Sequence, residues 1–335
     1  MKNRLQRSAI AASILVVVGI AGILILNRTP SDFPDNTPGA LVNITVTQGE
    51  SGTKIAIALA AAGVIKSEKK FVSTLLANPA GIGIAPGVHN INSHLTSRVA
   101  IHQLLDAKRI RNLIIVKDGS TSSQVLGLLH QDNELIQRDQ ISLLSLPLAN
   151  PSHSLEGEIA PDQYSFAPGV STHDALVAML SGGLRNLKES GIMHGYKNLS
   201  AYQLLTVASL LQIEADPADY SKVASVIYNR LAIGMPLQLN STVAYASHLQ
   251  GHIGLSIAQT KIDSPYNTYQ HLGLPPTPIC NPTQAALVAT INPATSHWLY
   301  FITVRPHDTR FTSSFSEFEG WVALYNKNVA AGAFR

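Results

Sequence analysis

The sequence is poor in cysteine and in charge. Its 335 residues include one cysteine, Cys280, and only 13% of them are charged. A single thiol excludes an internal disulfide framework and a metal site built from several cysteines. The formal net charge of +3 is too small for a dedicated nucleic-acid-binding protein, which concentrates Lys and Arg on one face. We therefore expect a fold stabilised by apolar burial alone, and no nucleic-acid partner.

One long apolar run is present near the start of the chain. Ser8–Leu26 spans about 19 positions without a charged side chain, the length that an α-helix needs to cross a bilayer. Lys2, Arg4 and Arg7 precede it, so the positive-inside rule places residues 1–7 in the cytoplasm and the remainder outside. We expect an uncleaved transmembrane helix rather than a cleaved signal peptide, because the run is long for a signal and no A-x-A-like site follows.

The remaining sequence predicts two domains. Residues 27–40 carry three prolines among small polar residues and are typical of an extended spacer. Residues 41–135 alternate short strand and helix patterns, whereas 155–328 is richer in helices, and a polar segment with prolines at 145–154 connects them. The elements predicted in the first domain are strands at 42–46 and 113–116 and helices at 53–62, from Ser67 onward, at 97–107 and at 121–130.

The strongest catalytic candidate is Glu214. It continues a helical spacing of apolar residues formed by Leu204, Val207 and Leu211, so all four side chains share one face. A carboxyl group that ends an apolar stripe is desolvated, which raises its pKa toward the range that a general acid needs near neutral pH. The alternative is a solvated glutamate or an ion-pair partner near a helix end.

The sequence also predicts where this helix ends. Asp216-Pro217 predicts that it stops just after Glu214, because the residue before a proline avoids the α conformation. A second amphipathic helix is predicted from Asp219 to Ile233, with Gly234 at its exit.

Two polar runs with almost no charge follow. Amides, hydroxyls and tyrosine rings suit a sugar-binding cleft, because sugars offer many hydroxyls and a few apolar C–H faces. Ordinary loop polarity is the alternative interpretation. The predicted substrate-binding residues are Gln238, Asn240, Ser241, Thr242, Tyr245, Tyr266, Asn267, Thr268 and Tyr269.

Several longer motifs, in a fixed order, resemble those of one family. The segments are 155–157 with 161–164 (LEG with PDQY), 208–214 (ASLLQIE), 223–231 (VASVIYNRL), 234–238 (GMPLQ), 266–269 (YNTY), 273–282 (GLPPTPICNP) and 299–301 (LYF). From about 155 to 325 the sequence is therefore similar to the endolytic murein transglycosylases of the MltG (YceG-like) family.

The resemblance implies a fold class and an organisation. The class is α+β, with an N-terminal transmembrane helix (8–26), a small LysM-like α/β module for glycan positioning (41–135) and a larger α+β catalytic domain with a lysozyme-like active-site helix (155–328). The implied location is a bacterial cell membrane, with the catalytic domain outside the cytoplasm.

The resemblance also implies an activity. Family members cleave the MurNAc–GlcNAc β-1,4 bond inside a peptidoglycan strand without water, leave a 1,6-anhydro-MurNAc end, and so terminate nascent strands. The family's catalytic glutamate maps onto Glu214. The implied partners are peptidoglycan glycan strands and the peptidoglycan synthases of elongation or division, and no cofactor is implied.

The residues themselves favour the same chemistry. A hydrolase usually has two carboxylates flanking the bond, whereas Asp216 and Asp219 lie in the turn beyond the helix and the later polar runs are nearly free of acids. One glutamate suffices if it protonates the leaving oxygen and then deprotonates the sugar's own 6-hydroxyl. A lysozyme-like hydrolase that uses Asp216 or Asp219 remains the alternative enzyme.

Departures from the family pattern favour a non-enzymatic alternative. Asn240 stands where the family commonly has aspartate, and Ser241 where it has proline. Both histidines of the family's HxFxxTxxEH pattern are absent from 309–318. These changes keep open a catalytically idle glycan-binding or scaffold protein of the wall-synthesis machinery.

Other short motifs carry little weight. Ser51 and Lys54 match S-x-x-K, but the later partners of a serine transpeptidase are absent. His248 and His252 lack the remaining ligands of a zinc site. The spacing of the glycines at 81–87 is wrong for dinucleotide binding. We therefore expect neither a metal nor a cofactor.

Overall fold

A computed structural model describes residues 32–33, 37–47, 49–78, 83–138, 154–249 and 258–334. The chain divides into two compact units. The first comprises the residues up to Leu113 together with Ser165–Ala167, and the second comprises Ile114–Tyr164 and Pro168–Arg335. The predicted transmembrane helix at 8–26 lies outside the described residues, as do most of the spacer and of the connector. Within the described ranges, no helix is both long and apolar enough to cross a bilayer.

The described residues of the first unit form a three-stranded antiparallel sheet and three α-helices. They are β1 (Leu41–Val46), α1 (Gly52–Ala61), α2 (Glu68–Leu76), β2 (Gly87–Asn92), α3 (Ser97–Leu104) and β3 (Ile110–Arg111), with strand order β1-β2-β3. Alternation along β1 buries Ile44 and Val46, as the two-residue period of a strand requires. Both pack with Leu59 of α1, Phe71 of α2 and Ile101 of α3 into one apolar core.

Local capping explains where these helices begin. The hydroxyl of Ser51 accepts the backbone N–H of Lys54, and Ser67 accepts that of Lys70 in the same way. Such caps satisfy N–H groups that have no partner in the first helical turn. The predicted helices at 53–62 and from Ser67 are therefore confirmed within a residue.

β2 is an element of the first unit that the sequence did not predict. Its residues include a glycine and several polar side chains, which weakens a strand pattern. It forms because it pairs along its whole length with β1, from Val46 opposite Gly87 to Leu41 opposite Asn92. This pairing joins residues more than 40 positions apart, which no local pattern encodes.

The second unit is mostly helical. It contains β4 (Leu113–Val116), α4 (Ser122–Gln131), β5 (Asp162–Ser165), α5 (Thr172–Ser190), α6 (Ala201–Glu214), α7 (Tyr220–Ala232), α8 (Asn240–Ala246), α9 (Gln284–Ile291), β6 (Tyr300–Arg305), β7 (Asp308–Thr312) and α10 (Phe315–Ala330). β4 pairs with β5, and β6 forms an antiparallel hairpin with β7. The predicted α+β class is confirmed.

α6 is the central helix of this unit. Every residue from Leu204 to Leu211 is buried, and the helix packs against α7 and α9. The predicted shared face of Leu204, Val207 and Leu211 is therefore not the only buried side of the helix, because residues 204–211 are buried all round. The predicted end of the helix is confirmed, because Glu214 is its last residue.

The structure also draws a different boundary between the two parts of the chain. The sequence grouped 41–135, whereas residues 114–135 belong to the second unit. The physical reason lies in hydrogen bonds of the β4–α4 segment. The N–H of Ser122 donates to Glu156 at 2.9 Å, and the side-chain amide of Asn281 donates to the carbonyl of Ser120 at 2.9 Å.

Candidate active site

Glu214 owes its position to an abrupt helix end. Ala215 after it is extended (φ −143°, ψ 157°), and Asp216 before Pro217 is also extended, so the chain leaves the helix axis at once. α7 begins only at Tyr220. The carboxyl of Glu214 is therefore held at the end of a buried, well-packed helix instead of a mobile loop.

One backbone donor meets this carboxyl. The N–H of Ser241, in the first turn of α8, donates to Glu214 Oε1 at 3.2 Å. Burial raises the pKa of Glu214, because the charged form loses water, while hydrogen bonding from Ser241 and the positive charge of Arg230 act in the opposite direction. A carboxyl with these opposed influences is suited to both release and regain of a proton.

α8 is fixed through the preceding loop and Thr268. The N–H of Leu239 donates to Thr268 Oγ1 at 3.0 Å, and the hydroxyls of Thr242 and Thr268 lie 2.9 Å apart. The N–H of Gln238 donates to the carbonyl of Thr268 at 3.0 Å. These bonds set the first turn of α8, and with it the N–H that reaches Glu214.

The other end of α8 is tied to a second buried carboxyl. The hydroxyl of Tyr245 donates to Glu156 Oε2 at 3.0 Å, and the other oxygen of Glu156 accepts the N–H of Ser122. Burial raises the pKa of Glu156, and the hydrogen bonds from Ser122 and Tyr245 oppose that rise. Tyr245 lies one helical turn after Ser241, so this tether also contributes to the placement of the donor to Glu214.

Glu214 opens into a cavity of about 650 Å³. Part of its lining is polar and charged, and part is aromatic. The lining residues are Glu214, Arg230, Gln238, Leu239, Asn240, Tyr269, Tyr300, Phe301, Ile302, Thr303, Phe315, Phe318, Tyr325 and Phe334. Among these described residues Glu214 is the one carboxylic acid. The volume falls within the range of small-ligand sites.

The predicted substrate-binding residues separate into three groups. Gln238, Asn240 and Tyr269 line the cavity with Glu214, and Ser241 contacts Glu214 itself. Tyr245 and Tyr266 line a second cavity of about 380 Å³ together with Glu156. The last group, Thr242, Asn267 and Thr268, is buried.

The buried group has internal hydrogen-bond partners. Thr242 bonds to Thr268, and the amide of Asn267 donates to the carbonyls of Thr260 and Ile262. Their polarity stabilises the loops around α8. The prediction that these three contact a substrate finds no support in this geometry.

The acids considered for a hydrolase have other partners. Asp216 lies 2.8 Å from His307 Nδ1, and Asp219 accepts a 2.7 Å hydrogen bond from Lys222. Neither lines the cavity that contains Glu214. A retaining or inverting hydrolase needs its second carboxyl across the bond from the first. Among the residues that the structure describes, the lining of the Glu214 cavity supplies no second carboxyl.

Arg230 is a site residue that sequence reasoning missed. Its Nε donates to the carbonyl of Leu299 at 2.6 Å, and its Nη1 donates to that of Leu237 at 2.7 Å. Arg230 is 7% exposed, and its guanidinium carbon lies 5.5 Å from the ring centre of Tyr300. Since main-chain oxygens hold it, its charge stays fixed beside the cavity. Its only signal in the sequence was membership in the segment YNRL.

The aromatic lining was also missed. Tyr300 comes from β6, whereas Phe315 and Phe318 lie at i, i+3 spacing in α10. These residues are more than 80 positions from Glu214 in the sequence, so no local pattern connects them to it. The mixed lining suits a ligand that carries both apolar faces and hydrogen-bonding edges. Within the described residues, no group of three or more His, Cys, Asp or Glu could hold a metal ion.

Comparison with known proteins supports the resemblance. A family model described as the YceG-like family matches residues 44–323. The endolytic murein transglycosylase of Bacillus subtilis (strain 168) is 29% identical, over 89% of this chain and 88% of that protein. The endolytic murein transglycosylase of Streptococcus pneumoniae serotype 2 (strain D39 / NCTC 7466) is 37% identical over 170 residues, which are 48% of this chain and 30% of that protein.

A solved structure gives the same result for the fold. The crystal structure of a YceG-like protein from Listeria monocytogenes superimposes with a TM-score of 0.55, over 84% of this chain and 99% of that chain. At 22% identity this likeness speaks for the fold alone. Since the family model spans most of the sequence, and the motifs around Glu214 agree with it, the chain belongs to the YceG-like family.

Proposed function

We propose that this protein is an endolytic peptidoglycan lytic transglycosylase in which Glu214 is the sole general acid and base. The observation that carries the proposal is a single carboxyl, with a raised pKa, in a cavity whose other described lining residues carry no acid. The relatives named endolytic murein transglycosylase support the same reaction, and one of them aligns along almost the whole chain.

The reaction requires two proton transfers at one side chain. Protonated Glu214 donates its proton to the glycosidic oxygen, the C1–O bond breaks, and the leaving sugar departs as an alcohol. The resulting carboxylate accepts the proton of the 6-hydroxyl of the same MurNAc, whose oxygen bonds to C1. A 1,6-anhydro end forms, Glu214 is protonated again, and no water is consumed.

The surroundings of Glu214 support both halves of this cycle. Burial favours the neutral acid that starts the reaction. The N–H of Ser241 and the nearby charge of Arg230 favour the carboxylate that forms in between. Because the attacking hydroxyl belongs to the substrate, proximity replaces the activation of a water molecule.

The proposal extends to the parts of the chain outside the cavity. Ser8–Leu26 would anchor the enzyme in the cell membrane, where it would act on nascent strands beside a peptidoglycan synthase. The first unit would position glycan as a LysM-like module. Its support is the order β1-α1-α2-β2, in which two helices connect paired antiparallel strands.

Product analysis tests the proposal. Purified protein is incubated with glycan strands, and the new ends are read by mass spectrometry. We expect 1,6-anhydro ends, a loss of about 10²–10⁴-fold in rate for Glu214→Gln, and near-normal rates for Asp216→Asn as a matched control. Reducing ends would identify a hydrolase. Unchanged chain lengths with retained binding to sacculi would identify a scaffold protein.

A further inference from the structure

Six aromatic residues besides Tyr269 line the cavity of Glu214. This aromatic wall consists of Tyr300, Phe301, Phe315, Phe318, Tyr325 and Phe334. Aromatic residues make up only 6% of the sequence, and all six of these remain at least partly exposed. Rings of this size contribute most to stability when fully buried, so their concentration at one open cavity calls for a reason other than folding.

Tyr300, Phe315 and Phe318 form one contiguous group of rings within this wall. Tyr300 stacks on Phe318 with ring centres 5.3 Å apart and planes 27° apart, and Phe315 lies 5.6 Å from Tyr300. Phe315 is the first residue of α10 and is 55% exposed. Much of its apolar surface is therefore available to a ligand in the cavity.

This surface is also held in place. Arg230 lies 5.5 Å from the centre of the Tyr300 ring, and backbone carbonyls fix the guanidinium. A cation beside a ring stabilises its position. The hairpin of β6 and β7 packs against α10 and sets the spacing between Tyr300 and the two phenylalanines. A ligand that binds here does not first have to order the wall.

The remaining lining indicates the kind of ligand. Gln238, Asn240 and Tyr269 offer amide and hydroxyl groups in the same cavity, beside Glu214. A pyranose ring combines an apolar C–H face with hydroxyl and acetamido groups at its edge, and so matches both parts of the lining. A lipid chain would cover the Gln238 amide and the Asn240 NH₂ group without offering either of them a hydrogen-bond partner, which is unfavourable.

Resting on the proposed function, we propose that the aromatic wall is a saccharide subsite next to the scissile bond. It binds the C–H face of an N-acetylhexosamine ring on Tyr300, Phe315 and Phe318. The polar lining then takes the ring's hydroxyl and acetamido groups. This places one sugar of the strand beside the carboxyl of Glu214.

The test measures binding without cleavage. In a Glu214→Gln background, glycan strands stripped of their stem peptides are titrated calorimetrically. We expect Phe315→Ala to weaken binding about tenfold and Phe315→Tyr to restore it, because ring stacking supplies the contact. Val329→Ala is the matched control. It removes an exposed apolar side chain from the same helix, outside the cavity, and should leave binding unchanged.

A second variant and a second readout complete the test. If Phe315→Ala does not fold, Phe315→Leu replaces it in the binding measurement, because leucine keeps apolar volume but removes the ring. With Glu214 intact, either variant should raise KM and change kcat by less than about threefold, since the ring contacts substrate and not the reacting atoms.

Two results would overturn the subsite. One is unchanged glycan affinity in both Phe315→Ala and Phe315→Leu. The other is a loss of binding to phosphatidylglycerol vesicles with glycan affinity retained, which would make the wall a lipid site. Because binding is measured in the Glu214→Gln protein, absence of anhydro product in the unmutated protein would refute the proposed function and leave this result standing.

Discussion

The backbone N–H of Ser241 lies 3.2 Å from Glu214 Oε1, although 27 residues separate the two in the sequence. Because the donor is a main-chain N–H group, its direction is set by the position of α8 and not by a side-chain rotamer. A proline at position 241, as the family pattern commonly has, could not make this hydrogen bond, because proline has no N–H. The serine at position 241 therefore adds a contact to the candidate catalytic carboxyl.

The tether between Tyr245 and Glu156 should matter for catalysis at a distance. Tyr245→Phe leaves Glu156 Oε2 without its donor at 3.0 Å and frees the end of α8. We expect the free energy of unfolding to fall by about 1–3 kcal/mol and kcat to fall with it. Urea denaturation and steady-state kinetics measure the two effects.

Tyr266→Phe is the control for this tether. Tyr266 lines the same cavity as Tyr245, but its hydroxyl pairs with Thr277 at 2.9 Å and not with Glu156. It should affect stability and leave kcat near normal. Equal losses of kcat in the two variants would argue against a specific role for Tyr245.

Glu214 should lower stability at neutral pH. Its folded-state pKa is raised by burial, so between the unfolded and folded pKa values the folded protein binds more protons, and stability falls as pH rises through that window. Glu214→Gln removes the charge and keeps an oxygen for Ser241. We expect this variant to be more stable than the unmutated protein at pH 7, and the difference to disappear below the ordinary glutamate pKa of about 4.5.

Denaturant titrations at pH 7 and pH 4 decide the point. A variant that is less stable at both values would mean that the carboxylate is well compensated where it lies. The same raised pKa should place the alkaline limb of the kcat profile above the range of an exposed glutamate, because the reaction starts from the protonated acid.

The charge of Arg230 should tune the acid. Arg230→Gln removes an influence that lowers the pKa of Glu214, which then becomes a weaker acid. We expect slower proton donation and an alkaline limb moved to higher pH, together with a loss of about 2 kcal/mol of stability from unpaired carbonyls.

Arg230→Lys keeps the charge and separates the two effects. It should lose stability, since an ammonium group cannot reach the carbonyls of Leu299 and Leu237 in the same way, but it should shift the pH profile less. Identical pH profiles for both variants and the unmutated protein would remove Arg230 from the mechanism.

His89 in β2 should make the first unit sensitive to acid. Its ring is fully buried, Nε2 pairs with the carbonyl of Ala85 at 2.9 Å, and burial lowers its pKa from the ordinary 6.5. Below pH 6.5 the unfolded chain therefore binds more protons than the folded one, so stability is complete above that pH and declines as pH falls.

Thermal unfolding of the protein between pH 7.5 and 5.5 tests this dependence. His89→Gln should flatten the decline, whereas His102→Gln, at an exposed position of α3, should leave it unchanged. A decline that persists in full without His89 would place the sensitive group elsewhere.

Local signals predicted the ends of elements well. Asp216-Pro217 predicted the end of α6, and Glu214 is its last residue, because a proline acts on its immediate neighbour. The helix predicted at 121–130 likewise begins where expected, and the structure shows the Thr121 hydroxyl capping its first turn. β2 was missed because its stability comes from β1, which lies far away in the sequence.

Polarity was a poor guide to which residues line the cavity of Glu214. Asn240 and Tyr269 do line the cavity, yet Asn267 and Thr268 are just as polar and are buried as internal hydrogen-bond partners. A side-chain amide serves a loop and a ligand equally well, so its type does not reveal which one it serves. Conversely, the apolar Phe315 received no role from sequence reasoning, because an aromatic residue in a helix is normally part of the core.

The sequence by itself determined the chemistry that is available. It supplied one glutamate at the end of a helix that a proline terminates, helices begun by hydroxyl caps, and a set of ordered motifs that identify the family. Only the tertiary structure decided what surrounds that glutamate. Ser241, Arg230 and Phe315 come from three different elements. Ser241 and Arg230 act on the Glu214 carboxyl and Phe315 lines the same cavity, because packing of the whole unit, and no pattern within any one segment, sets the distances between them.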